Sequence, residues 1–188
     1  MKTIIALTGF MAAGKTTVGR ALGSLLHWNF IDLDFEIEQR AKMGIHEIFA
    51  LRGEAFFREL ESATLRSLLA SVAAPLVVAL GGGTFVQAEN AQQMRNAGCW
   101  VVFLELPLDE LLRRCRAASG RTNSRPLAAD EAAFSALYHR RLPLYRHADL
   151  TVNAAGKSCQ EIAHEIAKGL RLSGSEASSS ATSSPRRP

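Results

Sequence analysis

Eight residues near the amino terminus have the types and order needed to hold a phosphate. Gly9-Phe10-Met11-Ala12-Ala13-Gly14-Lys15-Thr16 fits the pattern G-x-x-x-x-G-K-[ST]. In that pattern the glycines let backbone N–H groups close around phosphate oxygens, the lysine reaches the β and γ phosphates, and the hydroxyl ligates magnesium. At ordinary residue frequencies such a match arises by chance in roughly one chain of this length in a hundred or fewer. Gly9, Met11, Ala12, Ala13, Gly14, Lys15, Thr16 and the adjoining Thr17 are therefore candidates for binding ATP, with Lys15 also catalytic and Thr16 a direct magnesium ligand. The plainer reading, a glycine turn with an exposed lysine, leaves the flanks unexplained. Ile4-Ile5-Ala6-Leu7 is a β-rich run, and Val18, Leu22, Leu25 and Leu26 follow at helical spacing. A loop between such elements gains the partial positive charge of the helix N-terminus.

Phosphoryl transfer needs positioning and charge neutralisation more than covalent help, so acids and further cations should accompany the loop. Asn29-Phe30-Ile31-Asp32-Leu33-Asp34 reads as a short strand ending in alternating acids, which puts both carboxylates on the same side of the backbone. No acid follows the apolar run Val77-Val78-Ala79-Leu80, where a magnesium-holding acid usually stands. Asp32 takes that role, holding the ion through water. Asp34 is the candidate for positioning the acceptor hydroxyl or acting as general base, and hence is both catalytic and substrate-binding. For both acids the competing role is helix capping.

The elements that must position these groups alternate along the chain. Helix is expected over Glu36 to Lys42, stopped at Gly44, and again from about Glu54 to Ala70. Pro75 to Leu80 is a buried parallel-strand run that ends in Gly81-Gly82-Gly83, where a ligand can approach the backbone closely. A helix over Ala88 to Ala97, a strand over Cys99 to Leu104 and a helix over Leu108 to Arg116 continue the pattern. Ala117 to Ala129 turns polar, as suits a mobile lid, and carries Arg121 and Arg125. Glu131 to Arg146 reads as helix interrupted at Pro143, Asp149 to Val152 as the fifth strand, and Ser158 to Leu172 as the closing helix. The expected class is α/β: a five-stranded parallel sheet with helices on both faces and a ligand crevice at the strands' carboxyl ends. Residues 173–188, rich in serine, read as a disordered tail.

Composition sets the bounds. The 188 residues suit one domain, 47% hydrophobic residues suffice for a core, and the net charge of +4 comes from scattered arginines. That suits a small anionic substrate as well as it suits nucleic acid, so charge alone decides little, and the expectation of no nucleic-acid or membrane partner does not rest on it. Cys99, Cys115 and Cys159 are far apart and odd in number, which points to reduced thiols in a cytoplasmic protein without a zinc cluster. The first thirteen residues could pass for a signal peptide, but its cleavage would destroy the phosphate loop, so the run is read as the first strand.

Taken together, the motifs resemble shikimate kinase. Gly9 to Thr16, Ile31-Asp32-Leu33-Asp34, Phe57-Arg58-Glu59-Leu60-Glu61, Leu80-Gly81-Gly82-Gly83, Arg125-Pro126-Leu127 and Arg141-Leu142-Pro143-Leu144-Tyr145 occur in family order and span nearly all of residues 1–172. The resemblance implies a P-loop NTPase of the nucleoside-monophosphate-kinase-like kind. Residues 1–172 would be the kinase domain, with a substrate-binding insertion at about 33–62 and a lid at about 117–129. It further implies ATP-dependent phosphorylation of the 3-hydroxyl of shikimate in aromatic amino-acid biosynthesis, by a monomer, with Mg2+ accompanying ATP. By position, Asp34 would bind ring hydroxyls, Arg58 and Arg141 would grip the carboxylate, and Gly81, Gly82 and Gly83 would line the pocket. Paired guanidinium forks suit a carboxylate better than lysine does. Phe49 and Phe57 would form an apolar wall. Arg125 would be the catalytic lid arginine, also touching ATP, and Arg121 would lie near the adenine or phosphates, in a region crowded by Arg113, Arg114 and Arg116.

Two other functions compete. Another small-molecule kinase on this fold, such as gluconate kinase, shares the loop but has no reason to combine Arg58, Arg141 and the triple glycine. A catalytically silent nucleotide-binding protein would not need every catalytic position filled.

Overall fold

The computed structural model describes residues 3–71, 73–119 and 130–172. Five parallel strands, β1 (Ile4–Thr8), β2 (Asn29–Asp32), β3 (Leu76–Ala79), β4 (Trp100–Glu105) and β5 (Leu150–Asn153), form one sheet in the order β2-β3-β1-β4-β5. The helices are α1 (Lys15–Leu26), α2 (Leu33–Ala41), α3 (Ile45–Ser71), α4 (Ala88–Asn96), α5 (Leu108–Ser119), α6 (Glu131–Tyr145) and α7 (Cys159–Gly169). The candidate signal segment is instead the central strand: β1 is buried along its whole length and pairs with β3 on one side and β4 on the other.

Topology places the site. From β1 the chain moves outward to β2, whereas from β3 it moves the other way to β4. Right-handed crossovers in opposite directions put the connecting helices on opposite faces. Accordingly α1 packs on α7, while α3 packs on α2 and α4. The chain reverses direction between β1 and β3, and the loops leaving those neighbours open a crevice at their carboxyl ends. The phosphate loop follows β1 and the triple glycine follows β3.

Three local expectations change. The strand ends at Asp32 rather than Asp34, because the Asp32 side chain caps a new helix, accepting from the N–H groups of Asp34 and Phe35. Asp34 therefore sits in the first turn of α2, not on a strand. Pro143 does not interrupt α6, which runs on to Tyr145 with Arg146 as its C-cap. So close to the end, the missing N–H removes one bond of the last turns, and the Arg146 N–H still reaches the Leu142 carbonyl. The helix expected from about Glu54 begins earlier, at Ile45, and is broken within α3 at Gly53, whose φ of 79° is left-handed.

Most of the 117–129 segment, including Arg121 and Arg125, and the 173–188 tail lie outside the described residues. Among the described residues no helix is long and apolar enough to cross a membrane.

Candidate active site

The phosphate loop is shaped by its backbone. Ala12 and Gly14 have positive φ (62° and 90°), and the Ala13 N–H closes a turn on the Phe10 carbonyl at 3.2 Å. Gly14 is the N-cap of α1 and offers no side chain, and the helix has no acid in its first turn, so its N-terminal dipole faces the crevice uncancelled. Lys15 curls back over the loop, its Nζ donating to the carbonyls of Gly9 (2.9 Å) and Phe10 (3.0 Å). A cavity of about 260 Å³ opens here, lined by Met11, Ala12, Gly14, Lys15, Thr16 and Thr17 on one side and by Asp32, Asp34 and Gly82 opposite. Of the loop residues proposed from sequence, Gly9 and Ala13 are buried beneath this cavity rather than lining it.

Asp32 makes two contacts, one of them the helix cap that the sequence offered as the alternative to a magnesium role. Its Oδ1 caps α2, while its Oδ2 accepts from the Thr16 hydroxyl at 2.6 Å. In register Asp32 stands beside Ala79 at the end of β3, so an acid from β2 occupies the space that an acid after β3 would otherwise serve. Two hard oxygen donors in contact at the mouth of a phosphate-shaped loop suit magnesium, which keeps several waters and takes few protein ligands.

The acceptor side is assembled from α2, α3, α6 and the loop after β3. Each glycine of the triplet makes room for a different neighbour. A Cβ at Gly81 would lie 2.7 Å from Asp34 Oδ1 and 3.1 Å from Glu61 Oε1; one at Gly83 would lie 2.6 Å from Arg58 Nη1. One at Gly82 would touch the backbone of Met11 and Gly9 at 3.6 and 3.7 Å and Arg141 Nη1 at 3.8 Å. The triplet is thus where the acids, the phosphate loop and both substrate-side arginines meet.

Helical spacing explains which side chains arrive there. On α6, Phe134, Tyr138, Arg141 and Tyr145 fall at i, i+4, i+7 and i+11, one inward stripe. Phe134 and Tyr138 close edge-on around Phe10 of the phosphate loop (centroids 5.0 and 5.5 Å), and the Arg141 guanidinium lies 5.9 Å above the same ring. Arg141 Nη1 donates to the Gly82 carbonyl at 3.2 Å. On α3, Arg58 is held between Glu54 and the buried Glu61, and Glu61 in turn accepts from the Thr84 hydroxyl at 2.6 Å. Burial works against the Arg58 charge, but Glu61 and Glu54 outweigh it and raise its pKa above the usual value. Phe57 is buried beneath Arg58 (5.1 Å), while Phe49, stacked at 4.6 Å on Phe57, is more than a third exposed.

Asp34 pays for this crowding with a pKa raised to about 6: burial is the main cause, neighbouring Asp32, Glu61 and Glu38 add to it, and Lys15 opposes it.

The sequence reading missed Glu61, Thr84 and Tyr145 as parts of this site, along with Phe10 as its joint. The i, i+3 spacing of Arg58 and Glu61 was a legible signal. Thr84 had none, since its partner lies 23 residues away; Tyr145 stood in the motif Arg141-Leu142-Pro143-Leu144-Tyr145, but nothing local pointed to its partner, which lies 63 residues away. Arg114, passed over as one of several surface arginines, points at the loop: its Nη1 is 3.9 Å from a Cβ built on Gly14, and Glu110 anchors its Nε at 2.7 Å.

Known proteins resemble this chain in sequence and fold. Residues 11–171 match the family model described as shikimate kinase. The shikimate kinase of Caldanaerobacter subterraneus subsp. tengcongensis is 38% identical over 178 residues, 93% of this chain and 99% of that one. The solved structure of the Acinetobacter baumannii shikimate kinase in complex with shikimate superposes with a TM-score of 0.82 at 35% identity, covering 91% of this chain and 94% of that one. A gluconokinase from Sinorhizobium meliloti superposes at 0.60 with 20% identity over 91% and 94% of the two chains, a likeness of fold alone.

Proposed function

The chain belongs to the shikimate kinase family, and from that premise we propose which residues carry its reaction. The reaction is the ATP-dependent phosphorylation of the 3-hydroxyl of shikimate, giving shikimate 3-phosphate and ADP. One observation carries the division of labour: the triple glycine brings the phosphate loop, Asp34, Arg58 and Arg141 to one point.

On this reading the loop from Gly9 to Thr17 seats the phosphates of ATP, and Lys15 swings from its own loop carbonyls onto the β and γ phosphates. Thr16 and Asp32 would hold magnesium, Asp32 through water, and the ion when bound would neutralise charge on the phosphates. Arg114, anchored by Glu110 beside Gly14, adds a cation on the nucleotide side. Asp34 accepts a hydrogen bond from the attacking hydroxyl and orients it in line. Arg58 and Arg141 bind the carboxylate from opposite sides of the glycine loop, with Phe57 and the half-exposed Phe49 against the ring. The roles expected of Arg125 and Arg121 fall on residues outside the described ones. Residues 1–172 act as one kinase domain, with the insertion at about 33–62 carrying α2 and the first part of α3. Buried, reduced Cys99 and Cys115 suit a cytoplasmic enzyme.

A coupled assay of ADP release tests this. Turnover is expected with shikimate and not with gluconate; no release with shikimate would reject the assignment.

A further inference from the structure

Tyr145 is a fully buried phenol in the last turn of α6, outside the set of groups that touch ATP or shikimate in the reading above. Its ring is fixed from behind by stacking on Phe103 of β4, with centroids 5.2 Å apart and planes 23° off parallel. Its hydroxyl donates to the carbonyl of Gly82. Arg141, one turn earlier on the same face, donates to the same oxygen at 3.2 Å. A carbonyl oxygen has two lone pairs, and here one donor comes from the core and the other from a substrate-side arginine.

We propose that Tyr145 is a positioning residue for the acceptor: by clamping the Gly82 carbonyl, its hydroxyl fixes both the Arg141 guanidinium and the path of the glycine loop.

Three features support the clamp. All peptide bonds here are trans, so the N–H of Gly83 points opposite the Gly82 carbonyl, and holding that carbonyl toward α6 sets the direction of the next N–H as well. Glycine at 81, 82 and 83 gives this loop the widest backbone freedom in the site, so an external tether has the most to restrict. The phenol also remains a donor across any working pH, since burial pushes its pKa up to about 12 with only partial opposition from Arg141 and Arg58.

The proposal rests on the assignment of Arg141 to the substrate carboxylate. Tyr145→Phe keeps the stacked ring and removes only the hydroxyl. The expected result is a rise of about tenfold in KM for shikimate, the scale of one lost bond to a buried acceptor, with KM for ATP unchanged within about twofold. An unchanged KM for shikimate, or an equal rise in both KM values, overturns the proposal, since simple loosening of the fold moves both. Should Tyr145→Phe fold poorly, a fluorinated tyrosine placed at position 145 keeps the shape and lowers the phenol pKa. Above about pH 7, where Asp34 with its pKa of about 6 is already ionised in both proteins, KM for shikimate should climb as pH rises through that lowered value in the fluorinated protein and not in the wild type; parallel profiles overturn the clamp. Wild-type turnover with shikimate is the control: its absence defeats the family-based reading, whereas normal wild-type turnover with unaltered Tyr145 variants defeats the clamp alone.

Discussion

The two halves of the site are built in opposite ways. The phosphate half is one continuous loop between β1 and α1, shaped by positive-φ backbone and closed by its own lysine. The acceptor half has no continuous segment: Asp34 comes from α2, Arg58 and Glu61 from α3, Arg141 and Tyr145 from α6, and they meet only because three glycines leave room. A local loop can be specified by a short motif, whereas a pocket drawn from distant elements depends on the whole fold being in register. On the proposed reading, the first half binds what many kinases bind, and the second decides which alcohol is phosphorylated.

The sharpest way to separate the halves is to disable each one. Lys15→Met should cost turnover on the order of a thousandfold, with weakened ATP binding. Asp34→Asn should cost about a hundredfold or more in turnover while ATP binding, measured by calorimetry, is retained. Loss of ATP binding in the second variant would mean that the halves are not distinct.

Next in size is Gly81→Ala, whose methyl would meet Asp34 and Glu61. A displacement of that carboxylate by a fraction of an ångström should lower kcat/KM for shikimate about a hundredfold with little change in KM for ATP. Normal kinetics would show that the close approach at Gly81 has no catalytic consequence.

A smaller effect is expected from Arg58→Ala: KM for shikimate rising by about ten- to a hundredfold, KM for ATP little changed. Because Glu61 would then be left buried without its cation, the comparison with Arg58→Lys separates lost substrate contact from lost support.

The smallest effect concerns stability. Asp34 has a folded-state pKa raised from 3.8 to about 6. Its protonated form favours the folded chain below about pH 4, and that contribution is lost as pH rises through about 6. Asp34→Asn should therefore be more stable than the wild type at about pH 8, by up to about 3 kcal/mol from the size of the shift, and should lose that advantage toward pH 4. Equal thermal midpoints at both pH values would contradict the buried-acid account.

The contrast also explains what could be read from sequence. The apolar runs located β1, β3 and β4, because buried parallel strands are continuous apolar runs that end abruptly, while the edge strands β2 and β5, only partly buried, were read from shorter mixed runs. The phosphate loop was legible because its function lies in eight adjacent residues. Asp34 was singled out from the sequence, and it lines the cavity from helix α2 rather than from the strand expected for it; alternation of acids looks extended until a cap intervenes, and only the structure shows Asp32 capping and contacting Thr16 at once. Pro143 looked like a helix end, yet its position in the final turns made it tolerable. Glu61, Thr84, Phe10 and Tyr145 escaped notice because their meaning lies in partners brought together by the crossovers.

The most direct test of the central claim, that the discontinuous half recognises a carboxylate through Arg58 and Arg141, compares shikimate with its methyl ester in the wild type and in Arg141→Ala. The account predicts that the wild type strongly prefers the free acid in kcat/KM and that Arg141→Ala loses most of that preference while keeping its KM for ATP. An Arg141→Ala enzyme that still discriminates as the wild type does would contradict it.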